Sequence, residues 1–155
     1  LFLAEACKAS VKDVRALVLG GHGDTMVPCL SYCTVNGIPV RQLLSAEALD
    51  GIIKRTAGGG GEIVKLMGTS AYYAPAAGAV VMAEAYLRDQ KRLLACAAYL
   101  NGEYGFKDIY MGVPVIIGGS GAEKIVTIEL SADEKAMLQK SAEAVMGLIE
   151  DSKRL

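Results

Sequence analysis

The pattern of apolar and polar positions predicts the end of a helix and then a strand at the start of the chain. Residues 1–8 have helical spacing that stops there, and Ser10 followed by Asp13 indicates a capped turn. The next residues, 14–19, are almost uniformly apolar and predict one buried strand. This strand should end where glycines crowd the sequence at positions 20–23.

Two strand-like runs follow, at 31–35 and 38–40. Asn36-Gly37 lies between them and is a strong signal for a hairpin turn. Pro39 has no N–H to donate to a neighbouring strand, so the second arm should lie at the edge of its sheet.

Helical periodicity dominates the middle of the chain. Ser45 predicts the start of a helix over 46–55, the glycines at 58–61 interrupt it, and helical spacing resumes over 62–66.

A long apolar helix is predicted over 71–89, with Ser70 as its cap. Pro75 falls in its first turn or close to it, where the missing N–H costs little. Ser131 with Glu134 forms a capping-box signature ahead of a last amphipathic helix. The positions predicted for its apolar face are Ala136, Met137, Val145, Leu148 and Ile149.

Between these last helices the pattern predicts a meander of short strands joined by tight turns. The predicted strands are 92–99, 109–111, 113–117 and 124–130. Short strands with tight turns favour antiparallel pairing. The order of elements therefore predicts an α+β fold, with antiparallel strands packed by long helices, as a single domain over residues 1–155.

Composition adds one anomaly and removes several classes of function. Sixteen basic and seventeen acidic residues give a net charge of −1, which argues against a nucleic-acid partner bound through charge alone. Counting Gly and leaving out Tyr, about 59% of the residues are apolar, against about 45–50% in ordinary globular chains. This surplus indicates either a membrane segment or a large surface made to be covered by a partner.

The membrane alternative fails on length, because a spanning helix needs about 20 consecutive apolar residues. The longest candidate, 74–83, has ten and is flanked by polar side chains. No signal-peptide pattern is visible, since Glu5 follows the first apolar residues at once. The first residue, Leu1, is not Met and falls in a helical pattern, so we expect the chain to be N-terminally truncated.

The cysteines at 7, 29, 33 and 96 include no Cys-x-x-Cys pair. A disulfide framework is typical of small secreted chains. In a chain with this much apolar material, free and mostly buried thiols in a reducing cytoplasm are the favoured interpretation. His22, Cys29 and Cys33 make only three ligands at a spacing that matches no common zinc pattern, so no metal site is predicted.

Two glycine clusters, at 58–61 and 118–121, resemble phosphate-binding loops only superficially. Neither fits the spacing of a P-loop or of a dinucleotide fingerprint. The first lies between two predicted helices and the second between two predicted strands, so both are interpreted as turns.

His22 is the only histidine and stands directly after the predicted strand, among glycines. Histidine can exchange a proton near neutral pH, and neighbouring glycines let a substrate approach the backbone closely. The competing interpretation is a loop histidine hydrogen-bonded to Asp24. A catalytic histidine also needs an orienting carboxylate, and neither Asp24 nor another acid in the chain is clearly placed to provide one.

The segment 17–28, which reads Leu-Val-Leu-Gly-Gly-His-Gly-Asp-Thr-Met-Val-Pro, resembles the catalytic-histidine segment of the lactate/malate dehydrogenase family. Further stretches resemble bacterial, lactate-dehydrogenase-like malate dehydrogenases, and the likeness runs from about residue 2 to 150 in order. These stretches are 59–64, 70–77, 98–105, 112–115 and 131–141.

This resemblance implies the C-terminal, substrate-side domain of such an enzyme, without the N-terminal Rossmann half that binds NAD. His22 would accept the hydroxyl proton of (S)-malate, or donate it to oxaloacetate. Ala71 would lie beside the substrate, and Pro75 beside the nicotinamide. The orienting aspartate and the arginines that clamp the substrate would belong to the missing half.

The expected whole protein is therefore an NAD-dependent malate dehydrogenase of the tricarboxylic acid cycle, present in the cytoplasm as a homodimer or homotetramer. Its expected partners are malate, oxaloacetate and its own Rossmann half. No membrane or nucleic-acid partner is expected. The 155-residue chain alone is expected to be inactive. Two alternatives stay open: a lactate or other 2-hydroxy-acid dehydrogenase, and a non-catalytic α+β interaction module. By this resemblance the selecting residues would lie outside the chain, so its residues do not separate malate from lactate.

Overall fold

A computed structural model describes residues 1–154, in which helices pack on two antiparallel sheets. The helices are α1 (Phe2–Cys7), α2 (Val40–Leu43), α3 (Ala46–Ala57), α4 (Gly59–Met67), α5 (Tyr73–Leu87) and α6 (Ala132–Ser152). The strands are β1 (Val14–Arg15), β2 (Val18–Gly20), β3 (Met26–Pro28), β4 (Thr34–Val35), β5 (Ile38–Pro39), β6 (Arg92–Asn101), β7 (Lys107–Gly118) and β8 (Gly121–Ile125).

The strands form one small and one large sheet, and every pairing is antiparallel. The small sheet has the order β1-β4-β5, and the large sheet has the order β3-β2-β7-β6, with β8 also paired to β7. The predicted α+β class, with antiparallel strands packed by helices, is confirmed. The predicted hairpin at Asn36-Gly37 is also confirmed, and Pro39 lies in the edge strand β5.

The main core lies between the large sheet and α6. Alternate residues of β7 point into it because side chains of a strand alternate between its two faces. They are Ile109, Met111, Val113 and Val115, all nearly inaccessible. Leu138 and Ala142 of α6 complete this layer, and a second small cluster forms where α1 and α3 meet the small sheet. The strand that carries the histidine segment is thus fixed in the main core through Leu19.

The prediction of one strand over 14–19 is wrong, because this segment passes from one sheet to the other. β1 pairs with β4 in the small sheet, and β2 pairs with β3 in the large one. Between them the Leu17 carbonyl still accepts a hydrogen bond from the Cys29 N–H at 2.9 Å. Uniform apolar character does not reveal such a change of partner.

The two strands predicted at 109–111 and 113–117 are a single strand, β7. Gly112 does not break it, and instead allows a close crossing with β2. A Cβ added at Gly112 would lie 2.8 Å from the Gly20 carbonyl oxygen. The predicted strand at 124–130 starts earlier and ends at Ile125. Beyond it, the Tyr104 hydroxyl donates to the Val126 carbonyl at 3.0 Å and accepts the Ile128 N–H at 3.2 Å, in place of a strand ladder.

Two helix starts differ from prediction. The glycines at 59–61 form the first turn of α4, so only Gly58 separates α3 from α4. Ser70 does not cap α5, which begins at Tyr73 and has no side-chain cap. Pro75 lies in the first turn of α5, as predicted. Elsewhere the capping signals are confirmed, because Ser10, Ser45 and Ser131 each accept an N–H of the following turn.

The predicted apolar face of α6 is only partly correct. Val145 and Ile149 pack against the core, whereas Ala136, Met137 and Leu148 are exposed. The buried stripe instead contains Glu134, Leu138, Ser141 and Ala142. Glu134 and Ser141 are polar, so a count of apolar residues alone did not reveal the stripe.

All four cysteines are free, and Cys29 and Cys33 are buried, as expected. Cys7 and Cys96 are half-buried. Burial raises the pKa of the Cys29 thiol to about 12, with smaller contributions from the nearby Glu134 and Cys33. Cys29 therefore stays protonated at neutral pH and packs as an apolar residue.

The apolar surplus is visible on the surface of α5. Tyr73 is 71% exposed and Leu87 is 77% exposed, and Val80, Met82 and Tyr86 are also exposed. A helix that is apolar on nearly every side is normally covered by other protein or by lipid. None of the helices in residues 1–154 is long and apolar enough to cross a membrane.

Glu134 fixes the start of α6 to the loop between β3 and β4. Its carboxylate accepts the Ser31 N–H at 3.1 Å, the Ser31 hydroxyl at 3.0 Å and the Ser131 N–H at 2.9 Å. Burial by itself raises the pKa of Glu134, but the hydrogen bonds from Ser131 and Ser31 outweigh it, so the pKa lies below its ordinary value of 4.5.

Glu134→Gln should therefore lower the free energy of unfolding by about 1–3 kcal/mol at pH 7. The folded pKa is depressed, so this stabilisation is present above the unfolded pKa and is lost as the pH falls through the folded one. The difference between the wild type and the variant in urea unfolding should shrink steadily below about pH 4.5. Asp133→Asn, an exposed acid in the same turn, serves as the control and should cost less than about 1 kcal/mol. A pH-independent difference would contradict the prediction.

Candidate functional site

His22 lies where β2 leaves the core of the large sheet. β2 ends at Gly20, and His22 immediately precedes a 3-10 turn over Gly23–Thr25. Leu19 and Gly20 are buried, whereas the His22 side chain is exposed. The predicted position of the histidine, at the end of a buried strand, is therefore confirmed.

A shallow cleft of about 280 Å³ opens beside His22. One wall is the segment Val18–Gly23 with Met26, and the other is formed by Ala95, Cys96 and Ala97 of β6 with Gly112 of β7. Apart from His22, this lining has no ionisable group except the Cys96 thiol, whose pKa is raised by burial. The cleft can therefore receive an uncharged, flat group next to a side chain that can exchange a proton.

The interpretation of His22 as a loop histidine held by Asp24 finds no support. Within the described range no hydrogen bond joins the two side chains, and both are exposed. The described residues also contain no cluster of three or more His, Cys, Asp or Glu side chains suited to a metal ion. No side-chain hydrogen bond from the described residues orients the His22 imidazole.

Neither Ala71 nor Pro75 lines the His22 cleft in the described structure. Ala71 lies two residues before α5 and is half-buried, and Pro75 is exposed in the first turn of that helix. The predicted helix over 71–89 includes both residues, but Ala71 lies outside α5. Their roles beside substrate and nicotinamide stay a prediction from the resemblance.

Sequence reasoning missed two residues that shape this site. Gly112 was interpreted as a strand break, although it is the point where β7 meets β2. Ser141 was not singled out, yet its hydroxyl accepts the Gly21 N–H at 2.8 Å. A signal existed for Ser141, because a polar residue in the spacing of Leu138, Ala142 and Val145 belongs to the buried stripe of α6.

Comparison with known proteins places this geometry in a family. The pattern of the lactate/malate dehydrogenase α/β C-terminal domain matches residues 1–154. A malate dehydrogenase of Sorangium cellulosum is 67% identical over 148 residues, which are 96% of this chain and 47% of that protein. A malate dehydrogenase of Salinibacter ruber is 54% identical over 154 residues, which are 99% of this chain and 49% of that protein.

Solved structures agree. The Salinibacter ruber malate dehydrogenase structure superposes with a TM-score of 0.96 at 55% identity, covering 99% of this chain and 50% of that one. A lactate dehydrogenase of Eimeria maxima, solved with NADH and oxamate, gives 0.93 at 42% identity, covering 98% and 48%. The chain spans about half the length of the relatives it matches. With its antiparallel sheets, its single histidine at the end of β2 and these matches, the chain belongs to the lactate/malate dehydrogenase family, as its C-terminal domain.

Proposed function

We propose that this chain is the substrate-side domain of an NAD-dependent malate dehydrogenase that interconverts (S)-malate and oxaloacetate. The observation that carries the proposal is His22, exposed at the mouth of an apolar cleft directly after a buried strand. This arrangement leaves a titratable imidazole free to meet a substrate while its backbone is anchored. The relatives named malate dehydrogenase, at up to 67% identity, supply the substrate class.

The chain spans about half of those relatives, and we propose that the remainder of the protein is a Rossmann domain that holds most of the cofactor. The Eimeria maxima lactate dehydrogenase and a Plasmodium falciparum malate dehydrogenase were solved with NADH. The cleft beside His22 fits only the nicotinamide end of NAD, since no Lys or Arg lines it to meet a pyrophosphate. When bound, NAD supplies the acceptor for the hydride on C2 of malate.

His22 provides the proton transfer that accompanies this hydride transfer. In the direction of oxidation, a neutral imidazole nitrogen accepts the proton of the malate C2 hydroxyl as the C–O bond becomes a carbonyl. In the direction of reduction, the imidazolium donates that proton to the carbonyl oxygen of oxaloacetate. An imidazole suits both directions because its ordinary pKa lies near neutral pH.

Ala71 and Pro75 are proposed to complete the site on the side of α5, which the His22 cleft leaves open. A methyl side chain at Ala71 would leave room for the second carboxylate of a four-carbon acid. Pro75 would pack against the nicotinamide, where an exposed apolar ring loses water favourably.

We also propose that the protein forms a homodimer or homotetramer in the cytoplasm. The exposed apolar face of α5 offers the surface that subunits or domains could cover. Four free thiols are typical of proteins from a reducing compartment.

The direct test compares oxaloacetate and pyruvate as substrates of the complete protein with NADH. We expect kcat/KM for oxaloacetate to exceed that for pyruvate on the order of 10²-fold or more, because a site built for two carboxylates leaves charged groups unpaired with pyruvate. Preference for pyruvate would identify the lactate-dehydrogenase alternative, which the 42% identity to the Eimeria maxima enzyme keeps as the second candidate. Activity with neither of these, nor with other 2-oxo acids, would indicate a non-catalytic interaction module.

A further inference from the structure

Ser141 is a buried polar residue in the middle of α6, far in sequence from the histidine segment. Its side chain is 1% exposed. Its hydroxyl oxygen accepts the Gly21 N–H at 2.8 Å, a bond that spans 120 positions of the chain. Burying a serine costs free energy unless its hydroxyl is hydrogen-bonded, so this bond accounts for the presence of Ser141 in the buried stripe of α6.

The backbone on either side of this bond is packed so closely that only glycine fits. Gly20 has a φ of +87°, and a Cβ there would lie 2.6 Å from the Ser141 Oγ. On the opposite side, a Cβ at Gly112 would lie 2.8 Å from the Gly20 carbonyl oxygen. The peptide unit between Gly20 and Gly21 is therefore held between α6 and β7.

His22 follows this peptide unit directly, and its own side chain is exposed without a hydrogen bond to any residue from 1 to 154. The direction in which the imidazole leaves the chain thus depends on the dihedral angles of the preceding residues. Glycines impose little restriction on these angles by themselves. The contacts with α6 and β7 are what limit them.

We propose that Ser141 is a positioning residue for His22: through the Gly21 N–H it sets the main-chain conformation that aims the imidazole into the cleft. The inference rests on the proposed function, in which His22 exchanges a proton with the substrate. Ser141 does not touch substrate, and its effect reaches the reaction only through the turn. Misplacement of a catalytic group by about 1 Å can cost on the order of 10²-fold in rate.

The test uses Ser141→Ala in the complete enzyme and follows NADH formation in the first turnover after mixing with malate. We expect the first-turnover rate constant to fall on the order of tenfold, because the Gly21 N–H loses its acceptor and the turn relaxes. Partial unfolding would lower the amplitude of this phase and leave its rate constant unchanged. The rate constant therefore separates positioning from a loss of stability.

Ala142→Gly is the matched control. Ala142 is the next residue of α6, is fully buried in the same core and is not among the nearest neighbours of Gly20 or Gly21. Its substitution should destabilise the helix by an amount similar to that of Ser141→Ala and keep the first-turnover rate constant. Should Ser141→Ala fail to fold, Ser141→Cys fills the same space with a weak acceptor and is subjected to the same measurement.

Hydrogen exchange of the peptide that contains Gly21 gives a second readout that needs no activity. Exchange should accelerate in Ser141→Ala and not in Ala142→Gly. If the wild type neither oxidises malate nor reduces oxaloacetate while this exchange difference persists, the proposed function is wrong and with it the positioning of a catalytic group. If the wild type is active but Ser141→Ala keeps the first-turnover rate constant within about twofold, the proposed function stands and the role of Ser141 is overturned.

Discussion

His22→Ala in the complete enzyme should reduce malate turnover by roughly 10²–10⁴-fold or more, the usual contribution of a positioned general acid or base. Without the imidazole, the C2 hydroxyl proton has no acceptor on the wall of the cleft formed by β2 and the following loop. The rest of the cleft lining offers no replacement, since it consists of glycine, alanine, valine, leucine and methionine with one protonated thiol. The measurement is kcat and kcat/KM for malate with NAD at pH 7–8.

Two further variants make this result specific. His22→Asn keeps a polar side chain that cannot hold a proton near neutral pH, so it should lose as much activity as the alanine variant. Asp24→Asn changes an exposed neighbour that is not bonded to His22, and it should retain near-normal rates. Binding of NADH, followed by its fluorescence, should be preserved in all three. A His22→Ala enzyme with near-normal turnover would remove His22 from the mechanism.

The isolated 155-residue chain should show no measurable NAD-dependent oxidation of malate. The chain contains neither the glycine spacing of a dinucleotide-binding fingerprint nor that of a phosphate-binding P-loop. The cleft beside His22 is open and offers no group to clamp a carboxylate. Both the cofactor and the substrate would therefore be bound too weakly to meet in a productive orientation.

The assay needs proof that the chain is folded. Because His22 is the only histidine, its imidazole signals in an NMR spectrum report on one site, and far-UV circular dichroism reports on the helices and sheets. Inactivity of a folded chain is the expected outcome. Clear turnover by the purified chain would show that the complete active site lies within it and would contradict the proposed division between two halves.

Short-range sequence signals correctly predicted the elements whose conformation neighbouring residues determine. The serine caps and the Asn36-Gly37 turn determine dihedral angles over a few residues, so Ser45, Ser131 and the hairpin were located correctly. Errors arose where a distant strand or side chain decides the outcome. The break between β1 and β2 follows from pairing with different sheets, and the end of β8 follows from hydrogen bonds to the Tyr104 hydroxyl.

The functional site divides in the same way. His22 was identified from its glycine neighbours and the family resemblance, both of which are properties of a short segment. Ser141 acts over 120 positions of sequence through one hydrogen bond, and Gly112 acts through the space that a missing Cβ leaves for Gly20. Helical spacing places Ser141 in the buried stripe of α6, but no local pattern identifies Gly20 and Gly21 as the distant partners of these two residues.

The sequence alone determined the fold class and the family of this protein, and it identified His22 as the candidate for proton transfer. These depend on side-chain chemistry and on short-range backbone preferences, both of which are determined by neighbouring residues. Only the tertiary structure decided which residues hold His22 in place, where the strands change sheets and which face of α6 is buried. Those outcomes are set by close packing between segments far apart in the chain, where a few tenths of an ångström separate a fit from a clash.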